Sequence, residues 1–182
     1  MSVRKLMDEQ ASPFENPVVL LSVSPGLYQE GILDTLRYFS DRFGMGLYIT
    51  LNKPCATLQG SFEKNGVPSE KLVYLDSITN TPEHETESCR FLGRMRELTE
   101  LCIALTKLVS ERKGVKFVLL DSVSTLLIYN DPKSVARFCH SVAEKLRSLG
   151  LPAAFVLVEM EEAKDMVAQL AQFCDAYVKV VS

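Results

Sequence analysis

The sequence predicts an α/β fold in three layers, in which helices cover both faces of a mostly parallel β-sheet. Short apolar runs rich in β-branched and aromatic residues recur along the chain, and segments with helical spacing lie between them. The six runs are residues 18–23, 47–51, 72–75, 117–120, 153–158 and 176–181. Most of them are nearly continuous rather than alternating, which is typical of strands buried on both faces. Strand–helix alternation on this scale indicates a parallel sheet with right-handed crossovers.

Four segments between these runs are predicted to be helices: residues 31–43, 83–112, 132–149 and 161–173. The third has the best-defined ends, because Asp131 and Pro132 are typical of a helix start and Gly150 is typical of a C-cap. The polar stretch 77–87 is expected to be a surface loop. We expect residues 1–16 to form a loose N-terminal arm and residues 17–182 to form a single domain.

Length, composition and charge exclude several classes of protein. The chain has 182 residues, of which 47% are hydrophobic and 24% charged, as in ordinary globular domains. Its net charge of −3 gives no general attraction to nucleic acid or to an anionic membrane. No run reaches the ~18–20 apolar residues of a membrane helix, and the polar N-terminus does not resemble a signal peptide. We therefore expect a cytoplasmic protein that binds neither nucleic acid nor membrane.

The five cysteines, Cys55, Cys89, Cys102, Cys139 and Cys174, do not form a recognisable metal or disulfide pattern. Their number is odd, and none is paired with another at C-x-x-C spacing. Zinc sites usually contain such closely spaced pairs, so the sequence does not predict one. In a cytoplasmic protein we expect these residues to be buried, reduced thiols.

The turn after the first predicted strand lies where a phosphate-binding loop would be. Ser24, Pro25 and Gly26 follow the strand, and Gly31 begins the predicted helix. Gly26 and Gly31 have the separation of the glycines in G-x-x-x-x-G-K-[ST], but Ile32 and Leu33 follow in place of Lys and Ser or Thr.

If Pro25 and Gly26 are aligned with the motif instead, the lysine position falls on Gln29 and the magnesium-ligand position on Glu30. In either alignment the cation is missing, and Glu30 would repel a phosphate. A plain strand-to-helix turn explains the same residues.

Two other strand ends carry polar residues that matter for this kind of site. The run 117–120 ends in Asp121, the arrangement that places an acid next to Mg²⁺ in P-loop enzymes. Asn52 and Lys53 follow the second strand, where an ATPase of this layout needs a carboxylate to activate water. Neither residue is a base at neutral pH.

The remaining candidates have simpler explanations. Glu159, Glu161 and Glu162 lie at the start of the last predicted helix, where acidic residues favour the helix dipole. His84 lies among glutamates in the polar loop. His140 follows Cys139 within a predicted helix, and adjacent helical residues do not face each other as a nucleophile and its base must.

The chain resembles the KaiC-like branch of the RecA-superfamily ATPases. The resemblance rests on VVLLSVSPGLYQEGILDTLRYFSDRFGMGLYITLNKP, FEKNGVPSEKLVYLDS and KFVLLDSVSTLLIYNDPKSVARF, and the order of elements agrees over about residues 17–181. It implies a RecA-like, P-loop NTPase fold and a nucleotide bound between subunits, often in a hexameric ring. It also implies a lysine and Ser or Thr in the phosphate loop, two acids after the second strand, and a strand-ending Asp. Only the last is present, as Asp121.

The degenerate phosphate loop suggests a non-catalytic KaiC-like protein, a pseudo-ATPase that works as a regulatory or protein-interaction module. The alternative is a weak nucleotide-binding protein or slow ATPase, in which Ser24, Pro25, Gly26, Gln29, Glu30 and Gly31 contact phosphate and Asp121 binds magnesium. ATP and Mg²⁺ are then expected to bind weakly at most. A third possibility is a self-associating subunit whose site is completed by a neighbour.

Overall fold

The computed structural model describes residues 2–80, 86–93 and 97–181, apart from the side chain of Glu162. Seven strands within these ranges form one sheet. They are β1 (Val18–Val23), β2 (Gly46–Thr50), β3 (Leu72–Asp76), β4 (Cys89–Phe91), β5 (Phe117–Asp121), β6 (Ala153–Val158) and β7 (Ala176–Val180). The six strands predicted from the apolar runs are confirmed to within about one residue at each end.

The strands are ordered β4-β3-β2-β5-β6-β1-β7, and every neighbouring pair is parallel. The first strand therefore lies between the last two, with Val19 opposite Ala154 of β6 and Ala176 of β7. Strand β6 separates β1 from β5, so the turn after β1 and Asp121 at the end of β5 lie on the same edge but one strand apart.

Helices cover both faces of the sheet, as predicted. They are α1 (Val3–Gln10), α2 (Tyr28–Phe43), α3 (Cys55–Lys64), α4 (Leu98–Glu111), α5 (Val123–Tyr129), α6 (Pro132–Ser148) and α7 (Lys164–Ala171). The buried residues of α1, α2 and α3 belong to one apolar core, and those of α4, α5, α6 and α7 belong to the other. The architecture is thus a three-layer α/β fold.

Local sequence accounts for the ends of α6. The Asp131 side chain accepts a hydrogen bond from the backbone N–H of Ser134 at 3.0 Å, which is the predicted N-cap. Gly150 follows the helix with φ of 64°, a left-handed conformation that glycine adopts without a steric penalty. Both predicted signals are confirmed.

The loose arm expected over residues 1–16 is wrong for the segment that forms α1. Val3, Leu6 and Met7 are buried on one side of this helix, which packs against α2 and β7. The composition of the segment is polar, because five of its eight helical residues have charged or amide side chains. The three apolar residues nevertheless share one face of the helix. This helix therefore contributes to the core.

The single long helix expected over residues 83–112 is also wrong. Within the described residues, Cys89–Phe91 forms the edge strand β4 and α4 begins only at Leu98. The helical spacing that suggested the long helix belongs to α4 alone, where Leu101, Leu105 and Leu108 are buried. Residues 81–85 and 94–96 of the predicted loop and helix lie outside the described residues.

None of the helices in the described ranges has the length and apolarity needed to span a bilayer.

Candidate functional site

The turn between β1 and α2 is a single 3₁₀ turn, Pro25–Leu27, and α2 begins directly after it at Tyr28. Its backbone N–H groups are largely used within the protein. Ser24 N donates to Val180 O at 3.0 Å, Leu27 N donates to Ser24 O at 3.0 Å, and Tyr28 N donates to Pro25 O. An anion-binding loop needs several free N–H groups that converge on one point. This turn therefore has the form of the plain strand-to-helix connection.

The residues expected to contact phosphate lie in the turn after β1 and in the first turns of α2. Gly26 is in the exposed turn, and Gln29 and Glu30 are exposed in the first turn of α2. Gly31 lies inside α2, where an added Cβ would be only 2.9 Å from Cγ1 of Val23. The role of Gly31 is thus close packing of α2 on β1, a requirement that explains a glycine here without any ligand.

Asp121 is the centre of a buried polar cluster at the carboxyl end of β5. Its side chain is 2% exposed, and both carboxylate oxygens accept hydrogen bonds from the protein. The hydroxyl of Tyr28 donates to Oδ1, and the hydroxyl of Tyr48 donates to Oδ2. Asn52 Nδ2 also donates to Oδ1, at 3.1 Å. The carboxylate thus faces three protein donors rather than open solvent.

The turn after β2 places Asn52 in this cluster. Thr50 Oγ1 donates to Lys53 O at 2.6 Å, and Leu51 N donates to Asp121 O at 2.8 Å, which ties the turn to the end of β5. The Asn52 side chain then links Asp121 to the start of α5, because its Oδ1 accepts a hydrogen bond from Thr125 Oγ1. Asn52 therefore links the ends of β2 and β5 to the start of α5.

The protonation of the cluster follows from its burial. Burial raises the pKa of Asp121 above its ordinary value of 3.8, while the hydrogen bonds from Tyr28, Tyr48 and Asn52 and the charge of Lys53 act in the opposite direction. Burial and the charge of Asp121 both raise the pKa of Tyr28 and of Tyr48. Both tyrosines therefore keep their protons at neutral pH and act as hydrogen-bond donors.

Little free space adjoins this cluster. A cavity of about 30 Å³ lies between α2 and α3 and is lined by Gln29, Lys53, Ser61 and Asp121, among others. Such a volume holds about one water molecule or one small ion. Tyr28 and Tyr48, which close this space, were not identified from the sequence, since a tyrosine inside an apolar strand or at a helix start has no distinguishing pattern.

Two of the acids after β6, Glu159 and Glu161, have side chains in the described part of the chain, and both are paired away from Asp121. Glu159 Oε1 accepts a hydrogen bond from Ser22 Oγ at 3.1 Å and pairs with Lys179 at 3.1 Å. Glu161 forms an exposed pair with Lys164 in the next turn of the chain. Glu159 thus pairs with residues of β1 and β7 rather than capping the last helix, which begins only at Lys164.

The histidine candidates give no catalytic pair in the described part of the chain. His140 packs edge-on against Phe173, with 5.1 Å between ring centroids. Burial raises the pKa of the neighbouring Cys139 thiol well above its ordinary value, so this thiol is unreactive at neutral pH. His84 lies outside the described residues.

The expectation of five reduced thiols is wrong for Cys55 and Cys89, which form a disulfide although they are 34 residues apart in sequence. Cys55 begins α3 and Cys89 begins β4, and the pairing of β3 with β4 brings the two together. The carboxylate of Asp76, at the end of β3, lies beside them. Cys102, Cys139 and Cys174 are free.

A larger, mostly apolar cleft of about 260 Å³ opens at the same edge of the sheet, on the other face. It lies between the ends of β2 and β3, the start of α4, and α5, and its walls include Leu51, Ile78, Leu98 and Tyr129. The Tyr129 side chain is 62% exposed beside it. An apolar cleft with an exposed aromatic residue is suited to binding side chains of another molecule.

Comparison with solved structures agrees with this fold. A KaiC-like protein (PH0186) from the hyperthermophilic archaeon Pyrococcus horikoshii OT3 superposes with a TM-score of 0.58 and 14% identity, over 80% of this chain and 62% of that one. This chain therefore spans less than two thirds of the length of that protein. An uncharacterized protein (PH0321) from Pyrococcus horikoshii, in complex with an unknown peptide, superposes with a TM-score of 0.67 and 14% identity, over 96% of this chain and 82% of that one.

At 14% identity these similarities show the fold alone, which this chain shares with that KaiC-like protein. No curated protein matches the chain. A family model does match it, over residues 56–180, a range that includes β3 to β7 and Asp121 and makes up more than half of the chain. The chain accordingly belongs to DUF7504, a family of unknown function.

Proposed function

We propose that the protein is a non-catalytic member of the KaiC-like fold group that acts by binding a protein partner. The observation that carries this proposal is the occupation of the Asp121 carboxylate by the hydroxyls of Tyr28 and Tyr48. A carboxylate that holds Mg²⁺ for phosphoryl transfer must have a free oxygen facing the metal. Here both oxygens accept hydrogen bonds from tyrosines that keep their protons at neutral pH.

The turn after β1 supports the same proposal. Three backbone N–H groups of Ser24–Tyr28 are used within the protein, and no lysine or arginine is present between Ser24 and Leu36. Positioning and charge stabilisation supply most of the rate enhancement in phosphoryl transfer. A turn without a cation, in which most backbone donors are already used, is poorly suited to either.

The apolar cleft between α4 and α5 supports a peptide segment as the kind of partner. Its volume of about 260 Å³ suits one or two apolar side chains, and exposed Tyr129 and Ile128 extend the apolar surface beside it. The similar protein PH0321 was solved in complex with an unknown peptide. Peptide binding by the same fold favours a protein-interaction role over nucleotide chemistry here.

The first experiment measures nucleotide binding and hydrolysis. We expect no thermal shift with millimolar Mg-ATP, Mg-ADP or Mg-GTP, and no ATP turnover above the buffer rate. Turnover that is lost in Asp121→Asn, with an unchanged circular dichroism spectrum, would overturn the non-catalytic proposal. Such a result would instead favour the alternative of a weak nucleotide-binding protein or slow ATPase.

The second experiment tests peptide binding directly. A displayed library of random peptides is selected on the wild-type protein, and the enriched peptides are measured by fluorescence anisotropy. We expect apolar peptides whose affinity falls at least about tenfold in Tyr129→Ser, since aromatic residues dominate binding surfaces. Phe14→Ser, which removes an exposed aromatic residue outside the cleft, is the matched control. Equal losses of peptide affinity in Tyr129→Ser and Phe14→Ser would contradict binding of the peptide in the cleft.

A further inference from the structure

A second buried cluster, separate from Asp121, contains Cys55, Asp76 and Cys89. Their side chains are 5%, 0% and 2% exposed, and one potential ligand atom from each lies within 4.8 Å of the others. The residues come from three different elements, α3, β3 and β4, and are brought together by the pairing of β3 with β4. The partner-binding role proposed above does not use this cluster, so the inference is independent of that role.

The carboxylate of Asp76 is held in a fixed position. Its Oδ1 accepts hydrogen bonds from the N–H groups of Ile78 and Thr79, at 2.8 and 2.9 Å. Its Oδ2 accepts from the N–H of Cys55 and the hydroxyl of Thr79, both at 2.8 Å. The three N–H donors are fixed by the backbone, whereas Thr79 is only partly buried and its side chain can change rotamer. That rotation removes the fourth donor and frees one acceptor position of Oδ2 for a cation.

We propose that, once the disulfide is reduced, Cys55, Cys89 and Asp76 form a binding site for a thiophilic divalent cation such as Zn²⁺. Zinc prefers thiolate and carboxylate ligands in a tetrahedral arrangement, with Zn–S of about 2.3 Å and Zn–O of about 2.0–2.2 Å. Those bond lengths require about 3.8 Å between the two sulfurs and about 3.5 Å between sulfur and oxygen. The cluster already holds its ligand atoms within 4.8 Å of one another, so small side-chain rotations suffice.

The disulfide and the metal exclude each other, because the same sulfurs form both. A dithiol reductant breaks the Cys55–Cys89 bond: it supplies two electrons and two protons and becomes a disulfide itself. Binding of the cation then displaces the two thiol protons to solvent. The fourth position on the metal is left for water, as in other sites with three protein ligands.

Entry of the ion is possible from the edge of the sheet. Strand β4 has only three residues and pairs with β3 on one side only. Besides the disulfide, the segment before β4 is held to the rest of the protein by hydrogen bonds from Gln59 Nε2 to Ser88 Oγ at 3.2 Å, from Tyr74 N to Ser88 O at 2.7 Å and from the Arg112 guanidinium to Glu87 O at 2.7 Å. Reduction removes the covalent bond that attaches this short strand to α3.

The experiment uses Co²⁺ as a spectroscopic probe, followed by displacement with Zn²⁺. The full chain is reduced with dithiothreitol, freed of reductant under anaerobic conditions, and titrated with Co²⁺. We expect thiolate-to-cobalt charge-transfer absorption that saturates at one ion per chain and disappears on addition of Zn²⁺. The oxidised protein should show no such band, and native mass spectrometry should show one ion bound with the loss of two protons.

Variants decide whether these residues are the ligands. Cys89→Ser should abolish the band, and Asp76→Asn should weaken binding by about tenfold or more. Cys102→Ser, which changes a half-buried free thiol outside the cluster, should leave the band unchanged. Circular dichroism of each variant checks that the chain is folded. No band in the reduced wild-type protein, or an undiminished band in Cys89→Ser or Asp76→Asn, would overturn the proposal.

Discussion

Replacing Tyr48 by Phe removes one hydrogen-bond donor from the Asp121 carboxylate and keeps the aromatic ring. Both side chains are buried, with Tyr48 0% and Asp121 2% exposed, so water cannot easily take the place of the hydroxyl. A hydrogen bond to a charged group contributes about 1.5–3 kcal/mol to stability. We therefore expect Tyr48→Phe to lower the free energy of unfolding by about 2 kcal/mol at pH 7.

The loss should depend on pH, because the hydroxyl stabilises the ionised form of Asp121. In the folded protein the pKa of Asp121 is raised above 3.8 by burial, and the Tyr48 hydrogen bond partly opposes that shift. The stability that Asp121 contributes therefore falls as the pH rises from its ordinary pKa through its raised folded pKa. Without the hydroxyl the folded pKa rises further, so the variant loses more across this window. The cost should be small near pH 4 and should grow as the pH rises through the raised folded pKa of Asp121.

Tyr74→Phe is the matched control for this measurement. Tyr74 is also 0% exposed and lies 5.9 Å from Tyr48 between ring centroids, but its hydroxyl is buried without a hydrogen-bond partner. Removing an unpaired buried hydroxyl should be neutral or stabilising. Urea unfolding followed by circular dichroism at pH 4 and pH 7 gives both values. Equal losses in the two variants, or a Tyr48→Phe loss that does not change with pH, would refute the reasoning.

Two further predictions concern packing. Gly31→Ala should destabilise the protein by about 1–2 kcal/mol, because the new methyl group would lie 2.9 Å from the Val23 side chain. Gly60 also lies in a helix but has open space around it, so Gly60→Ala should stabilise the protein by about 0.5–1 kcal/mol. Met7→Ala in α1 should cost about 2–4 kcal/mol since Met7 is fully buried, while Met160→Ala, at 39% exposure, should cost far less. Thermal and urea unfolding measure the stability of both pairs of variants. Equal stability of the two methionine variants would contradict a contribution of α1 to the core.

The sequence was sufficient to predict the layers of the fold because parallel strands buried on both faces are nearly continuous apolar runs. It was not sufficient for β4, since Cys89–Phe91 is too short and too polar to stand out. The helix α3 was not predicted for a related reason. Its only buried residues are Cys55, Leu58 and Phe62, so its amphipathic pattern is weak. Short elements of this kind are defined by tertiary contacts rather than by local pattern.

The candidate site was predictable in part. Asp121 and Asn52 were identified because each follows a buried strand, and they do lie within hydrogen-bond distance of each other, at 3.1 Å. The tyrosine donors were not identified from the sequence. Tyr48 lies within a strand, and Asp121, which accepts the hydrogen bond from its hydroxyl, is 73 residues away in sequence. The grouping of Cys55 with Cys89 likewise depends on strand pairing that no local spacing reveals.

The position of β1 between β6 and β7 has a consequence for biosynthesis. Strand β1 has no neighbour in the sheet until residues 153–180 have been made. At about 5–20 residues per second, this delay amounts to roughly ten seconds. During it the apolar segment Val18–Val23 is exposed to aggregation or to capture by a chaperone. Synthesis of β6 and β7 is thus the step that allows β1 to join the sheet.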